Sequence, residues 1–223
     1  MLKRIDKFEM ACDKLKYGPF SSQTIILFNI YQLIVKMSQA PVNENTNVEE
    51  FGAWLLEARA LQCTRHESLL FDDLSFTVSG GEVLQIDGAN GSGKTSLIRI
   101  LSGLAWADEG EVLCCKKEIQ AYRSEYLQDL SYIAHANCIK MELTALENLD
   151  MTRALCTRLS KTSSEQALDC FGLLDYRDRT ATNMSSGQRR RLALSRLLLS
   201  EARLWLVDEP FTSLDEDSKG TVR

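Results

Sequence analysis

The stretch Gly88–Thr95 reads GANGSGKT and fits the pattern G-x-x-x-x-G-K-[ST] at every fixed position. Residues of these types at this spacing can hold phosphate. The glycines let backbone N–H groups turn toward phosphate oxygens, Lys94 can reach the β and γ phosphates of ATP, and the Thr95 hydroxyl can ligate Mg²⁺. Gly88, Ala89, Asn90, Gly91, Ser92, Gly93, Lys94, Thr95 and Ser96 are therefore expected to line a nucleotide site. A second chemical pair, Asp208 and Glu209, closes the apolar run ARLWLVDE. Asp208 is expected to hold Mg²⁺, directly or through water, and Glu209 to polarise the attacking water as a general base. An Asp-Glu pair after an apolar run is common, so its weight comes from the loop that carries Lys94.

These residues need elements to hold them. EVLQIDG, residues 82–88, reads as a strand running into a Gly-rich turn, and KTSLIRILSGL after it has apolar residues at helical spacing, ending at Gly103 and Leu104. A helix that starts there adds its positive N-terminal end to the phosphate site. The run ARLWLVDE reads as a second, buried strand because it is short, apolar and without alternation. Strands alternating with helices predict an α/β fold with a parallel sheet wrapped by helices.

Lys94 and Asp208 stand more than a hundred residues apart, more than a small kinase or GTPase core needs between these two strands. TALENLDMTRALCTRL and SSEQALDCFGLL show apolar residues at three- and four-residue intervals and predict an inserted helical subdomain at about residues 139–183. The segment MSSGQRRRLALSRLLL follows from Met184. Ser185, Ser186, Gly187 and Gln188 give a small, hydrogen-bonding, Gly-containing start to a helix whose N-terminus can bind phosphate; taken alone they would also serve as a plain helix cap. Arg189, Arg190 and Arg191 fan out around that helix and are expected to be solvated or salt-bridged.

The phosphate loop, Ser185–Gln188, the Asp208–Glu209 pair and the triplet Ser213, Leu214 and Asp215 together resemble the ATP-binding cassette family, whose signature usually reads L-S-G-G-Q. The resemblance implies a P-loop ATPase with an inserted helical subdomain, a signature at Ser185–Gln188 and a D-loop at Ser213–Asp215. It also implies that two copies pair head to tail, the signature of one completing the ATP site of the other. Within the family, LLEARALQC (Leu55–Cys63), FDDLSF (Phe71–Phe76), LTALENL (Leu143–Leu149) and LVDEPFTSLD (Leu206–Asp215) look like the ATPases of bacterial haem export and cytochrome c biogenesis. A histidine at the usual Q-loop glutamine position, here His135, resembles the same subfamily and gives His135 a place beside Glu209 among the catalytic residues. The adenine-stacking aromatic usual near the start of the domain is missing, and Arg65 or His66 falls nearby; an Arg can stack on a flat π system.

What this implies is an ATPase on the cytoplasmic face of the bacterial inner membrane, working with membrane-spanning transporter subunits. Haem itself need not touch the chain, which has no C-x-x-C-H element. Other readings remain at this stage: a cassette that binds ATP without turnover, the ATPase of a different transporter, or a soluble cassette of DNA repair or translation.

Bulk properties narrow these choices. With 26 basic against 31 acidic residues and a pI near 5.2, the chain offers no broad basic surface for nucleic acid. Seven cysteines without a C-x-x-C pair point to reduced thiols rather than a disulfide framework or a zinc cluster. No cleavable signal is expected, because the start lacks a basic region leading into an apolar stretch, and Ile25–Met37, the longest candidate span, is too short and carries Asn29, Gln32 and Lys36.

Those polar residues fall at helical spacing, so Ile25–Met37 is expected to be a short amphipathic helix, followed by the linker SQAPVNENTNVEE. By resemblance, the subfamily's proteins begin at text like LLEA, so Leu55 is expected to open the cassette proper. Residues 1–54 are then either a spurious extension or a real segment lying on a membrane surface. At the other end, cassettes carry a switch histidine on a strand about thirty residues beyond the glutamate. The resemblance therefore implies a C-terminally truncated cassette, in which hydrolysis is reduced more than binding.

Overall fold

The computed structural model describes residues 55–80, 82–134 and 138–208, together with the backbone of two strands, β1 (Leu2–Asp6) and β2 (Thr24–Phe28). The chain continues through β3 (Leu55–Arg65), β4 (Ser68–Ser79), β5 (Val83–Asp87), α1 (Lys94–Leu101), β6 (Glu109–Cys114) and β7 (Lys117–Glu118). After these come α2 (Arg123–Gln128), β8 (Leu130–Ile133), α3 (Ala145–Leu155), α4 (Ser164–Cys170), α5 (Ser186–Ser195) and β9 (Leu204–Val207). The described residues fall into two units, one of β1, β2 and residues 55–132 with 203–208, the other of residues 133–202.

The first unit holds two sheets. One runs β1-β5-β2-β9-β8 and the other β4-β3-β6-β7. Both strands expected from the sequence are present, as β5 and β9, and all four residues of β9 are buried. The sheet that carries them is mixed rather than parallel, because β2 lies between β5 and β9 and runs antiparallel to both. This corrects the expected start of an amphipathic helix at Ile25: residues 24–28, TIILF, pair as a strand. Their isoleucines and phenylalanine suit a pleated ladder as well as a helical face, and period alone cannot separate the two over so short an apolar run. The remainder of Ile25–Met37 and the linker lie outside the described residues.

The antiparallel sheet was not foreseen. Its long strands β3 and β4 pair with shifts in register after Ala58, Leu61 and Cys63, and Ala60 and Asp73 take positive φ. Such irregularity breaks the strict alternation by which a half-buried strand is recognised. Between the sheets and α1 lies the core, with Leu56, Leu61, Val78, Leu84, Ile86, Leu97, Ile98, Leu101 and Leu206 all essentially without solvent exposure. Each such side chain stabilises the fold by about 1.5–3 kcal/mol relative to an exposed one. At its C-terminus α1 closes through Gly103 N–H to the Ile100 carbonyl (3.0 Å) and Leu104 N–H to the Arg99 carbonyl (2.9 Å), the paired bonds of a Schellman cap.

The second unit is helical, and its helices begin alike. Thr144 caps α3 against Glu147, Ser163 caps α4 against Gln166, and Ser185 caps α5 against Gln188, each as a reciprocal capping box. The unit reaches Ala202, so α5 and the 3-10 turn Arg196–Leu199 that continues it belong with α3 and α4. Buried Leu149, Leu168, Leu173, Leu192, Leu197 and Leu199 form its interior. Among the described residues no helix is long and apolar enough to cross a membrane.

Candidate functional site

The loop Gly88–Gly93 leaves the C-terminal end of β5 and enters α1 at Lys94. Gly93 sits at the N-cap with φ 97°, and no side chain caps the helix. A Cβ at Gly93 would approach Leu70 Cβ to 3.0 Å, so both the conformation and the space call for glycine. At Gly88 a Cβ would meet Ser92 Oγ at 2.6 Å. Ala89, Asn90 and Gly91 are exposed at the loop's crown, and Ser96 is half-buried in the first turn of α1.

Two side chains are tied to fixed partners. Lys94 is buried, and its Nζ donates to the carbonyls of Gly88 (2.6 Å) and Ala89 (3.0 Å), which draws the amine under the loop. Thr95 Oγ1 donates to Asp208 Oδ2 at 2.9 Å, although the two residues are 113 apart in sequence. The last strand residue before Asp208, Val207, is 1% exposed, as is Asp208 itself. Buried β9 therefore delivers a carboxylate to the first turn of α1.

The residues fit the groups expected there. A hydroxyl and a carboxylate in contact are the hard oxygen donors that Mg²⁺ takes when it also binds substrate phosphates. Ser92 Oγ is buried and has no hydrogen-bond partner, so the loop holds an unused polar group inside its own curve. Together with an uncapped helix start and the Lys94 cation, this makes a cradle for anionic oxygens.

Ser185 and Ser186 are exposed and Gly187 is buried at the start of α5. Gln188 donates its N–H to Ser185 Oγ (3.1 Å), and Ser185 donates its N–H to Gln188 Oε1 (2.9 Å). Ser185–Gln188 thus form a self-capped helix start. The three arginines behind them, expected to be solvated or salt-bridged, also reach backbone carbonyls. Arg189 donates to the carbonyls of Met184 (2.7 Å) and Ala181 (3.3 Å), Arg190 to that of Ala134 (3.1 Å), and Arg191 to that of Phe171 (3.0 Å). Arg190 is 2% exposed. A fan around the helix does place them on different sides, but here the unit wraps the helix and supplies carbonyls on each side.

Arg65 and His66 stand at the turn between β3 and β4. Arg65 donates to the carbonyls of Thr64 (2.8 Å) and Trp106 (3.3 Å) and lies 3.8 Å from Asp108. His66 is exposed at the tip with φ 48°. Glu209, His135, Ser213, Leu214 and Asp215 lie outside the described residues.

One organising residue escaped the sequence reading. Asn148 is buried within α3, donates to the carbonyls of Lys140, Leu143 and Thr144, and accepts from the Lys140 N–H at 2.8 Å. It fastens the loop before α3 to the helix. An asparagine in a helical pattern looks like a solvent-facing residue, and only its burial shows the difference.

Comparison with known proteins agrees with this arrangement. The profile of the ABC transporter family matches residues 71–212. The cytochrome c biogenesis ATP-binding export protein CcmA of Yersinia pestis is 45% identical over 168 residues, covering 75% of this chain and 77% of its own. The protein of the same name from Aliivibrio fischeri is 43% identical over 162 residues, covering 73% of this chain and 79% of its own. That from Nitrosococcus oceani is 46% identical over 167 residues, 75% and 76% of the two chains. A putative ABC transporter ATP-binding protein from Pyrococcus furiosus shares the fold, with a TM-score of 0.63 at 22% identity over 75% of this chain and 82% of its own.

Proposed function

The chain belongs to the ABC transporter family, and from that premise we propose that it binds and hydrolyses ATP as the motor subunit of a membrane complex serving haem export and cytochrome c biogenesis. The observation that carries the nucleotide part is the Thr95–Asp208 hydrogen bond beside buried Lys94. Remote segments bring a hydroxyl, a carboxylate and an amine to one helix start, a set that would suit Mg²⁺ and the phosphates.

The roles follow from the chemistry. Backbone N–H groups of Gly88–Gly93 and the N-terminus of α1 would bind phosphate oxygens, and Lys94 would balance charge on the β and γ phosphates. Thr95 and Asp208 would hold Mg²⁺, which when bound neutralises charge developing on the phosphoryl oxygens. Glu209, next in the chain after Asp208, would orient and deprotonate the attacking water, with His135 as its neighbour in the catalytic set. Ser185–Gln188 and Ser213–Asp215 would contact the nucleotide of a second copy, so that turnover requires pairing. The assignment to export in cytochrome c biogenesis rests on the named relatives, which are 43–46% identical to this chain; haem, the membrane-spanning partners and a place at the inner face of the bacterial inner membrane are what the family resemblance implies.

Multiple turnovers of ATP by the purified chain test the proposal. Turnover that Lys94→Ala and Glu209→Gln both abolish, with Glu209→Gln still retaining ATP, is the expected result. Nucleotide held without turnover by the unaltered chain, alone and with its membrane partners, would overturn the motor role. Recovery of those partners by co-purification, and loss of cytochrome c maturation on deletion, test the assignment to this pathway.

A further inference from the structure

Strand β6 ends in two adjacent cysteines, and the hairpin that follows sorts them into opposite environments. Cys114, the last residue of β6, pairs with Leu56 of β3 and Lys117 of β7 and has no exposed surface. Cys115 and Lys116 form the two-residue turn, with φ values of 52° and 65°, and Cys115 is exposed. Cys115 N–H donates to the Leu55 carbonyl at 2.8 Å, and the Tyr122 hydroxyl donates to the Cys114 carbonyl at 3.0 Å. The backbone is thus held on both sides of the peptide that joins the two cysteines. The two thiols belong to consecutive residues at the mouth of one hairpin, with Tyr122 held beside the first. Burial pushes the Cys114 thiol up to about 12, so it is protected from outside reagents by access and by protonation.

We propose that Cys114 and Cys115 form a reversible dithiol–disulfide site that exchanges with low-molecular-weight disulfides. Cys115 is the residue that solvent-borne reagents reach. Its thiolate attacks a disulfide RSSR, a mixed disulfide forms, and one RS⁻ leaves and takes up a proton. Cys114 then loses its proton and attacks the Cys115 sulfur, breaking the bond to R and releasing the second RSH. Two protein thiols and RSSR thus become one protein disulfide and two RSH. Adjacency favours the second step, since the resolving thiol belongs to the preceding residue and its attack is intramolecular. The small ring that results is strained, and strained disulfides are the readily reduced, regulatory kind. The peptide within that ring is the one Leu55 and Tyr122 hold, so oxidation acts on the β6–β7 hairpin.

The experiment exposes the full chain to glutathione disulfide, blocks remaining thiols with N-ethylmaleimide, and weighs the peptide that holds both cysteines. A peptide lighter by two hydrogens, carrying neither glutathione nor maleimide and restored by dithiothreitol, is expected. In Cys115→Ser that species is absent, and Cys114 is alkylated once the chain is unfolded. In Cys114→Ala, Cys115 keeps a stable glutathione adduct. Stable glutathione on Cys115 of the unaltered chain, with Cys114 still free, overturns the proposal. Phenylarsine oxide, which bonds two neighbouring thiols at once, gives a second readout: it should shield Cys115 from alkylation in the native chain but not in Cys114→Ala, and equal shielding in both would count against the pair.

Discussion

Two helix starts in this molecule are built from nearly the same residues and do opposite things with them. At α1 the sequence SGKT places Gly93 in the left-handed region with no side-chain cap, while Lys94 bends back to the loop carbonyls and Thr95 turns to Asp208. At α5 the sequence SSGQ closes on itself, Ser185 and Gln188 exchanging backbone N–H bonds. A helix start whose side chains are directed elsewhere leaves its N–H groups for an anion. One that caps itself has already satisfied part of that need, and its exposed Ser186 is left to face outward. Small and glycine-rich composition therefore does not by itself leave a helix start open; the direction of the side chains does.

The largest effect is expected where the open start meets chemistry. Lys94→Ala should lower the turnover number by about 100-fold or more, the loss usual for one contact to developing charge, measured as steady-state phosphate release. Gly93→Ala should come next. Forcing a Cβ into the left-handed region beside Leu70 costs about 1–3 kcal/mol, read from urea unfolding, and should weaken nucleotide binding as well. At the closed start, Ser185→Ala removes half of a capping box and should cost about 1 kcal/mol of stability, leaving nucleotide binding at the phosphate loop unchanged in the isolated chain. Unaltered stability in Ser185→Ala would mean that α5 is as open as α1, and the contrast between them would fall.

The smallest effect belongs to pH. At α3 the bonds that Glu147 accepts from the Thr144 N–H and hydroxyl hold its carboxyl below the usual glutamate range. A depressed folded value means that the contribution to stability is complete above the unfolded value, about 4.3, and is lost as pH falls through the folded one. Thermal melts of Glu147→Gln against the unaltered chain should therefore differ most near neutrality and converge in acid.

The same contrast shows why some elements could be read in advance. The phosphate loop, β5, α1 and β9 follow from local patterns: a fixed motif, a 3.6-residue apolar period in LIRIL, and an unbroken apolar run. The antiparallel sheet was hidden because the register shifts of β3 and β4 disturb their alternation. The carbonyl partners of the three α5 arginines are not legible in the sequence, because charge normally signals solvent or an ion pair, whereas Arg190 is buried against the Ala134 carbonyl. Asn148 was missed for the same reason.

The sequence by itself determined the chemical inventory: a cation, two hydroxyls, a carboxylate pair and glycines at spacings that only a phosphate-binding turn requires. Tertiary structure alone decided which of these meet. Thr95 and Asp208 are joined through a sheet in which β2 separates the strands that deliver them, and no local period encodes such a pairing. Likewise only the packed fold could put one of two adjacent thiols in the core and the other in solvent. Spacing along a chain fixes what an element can be, while burial and hydrogen bonding between remote segments fix what its side chains do.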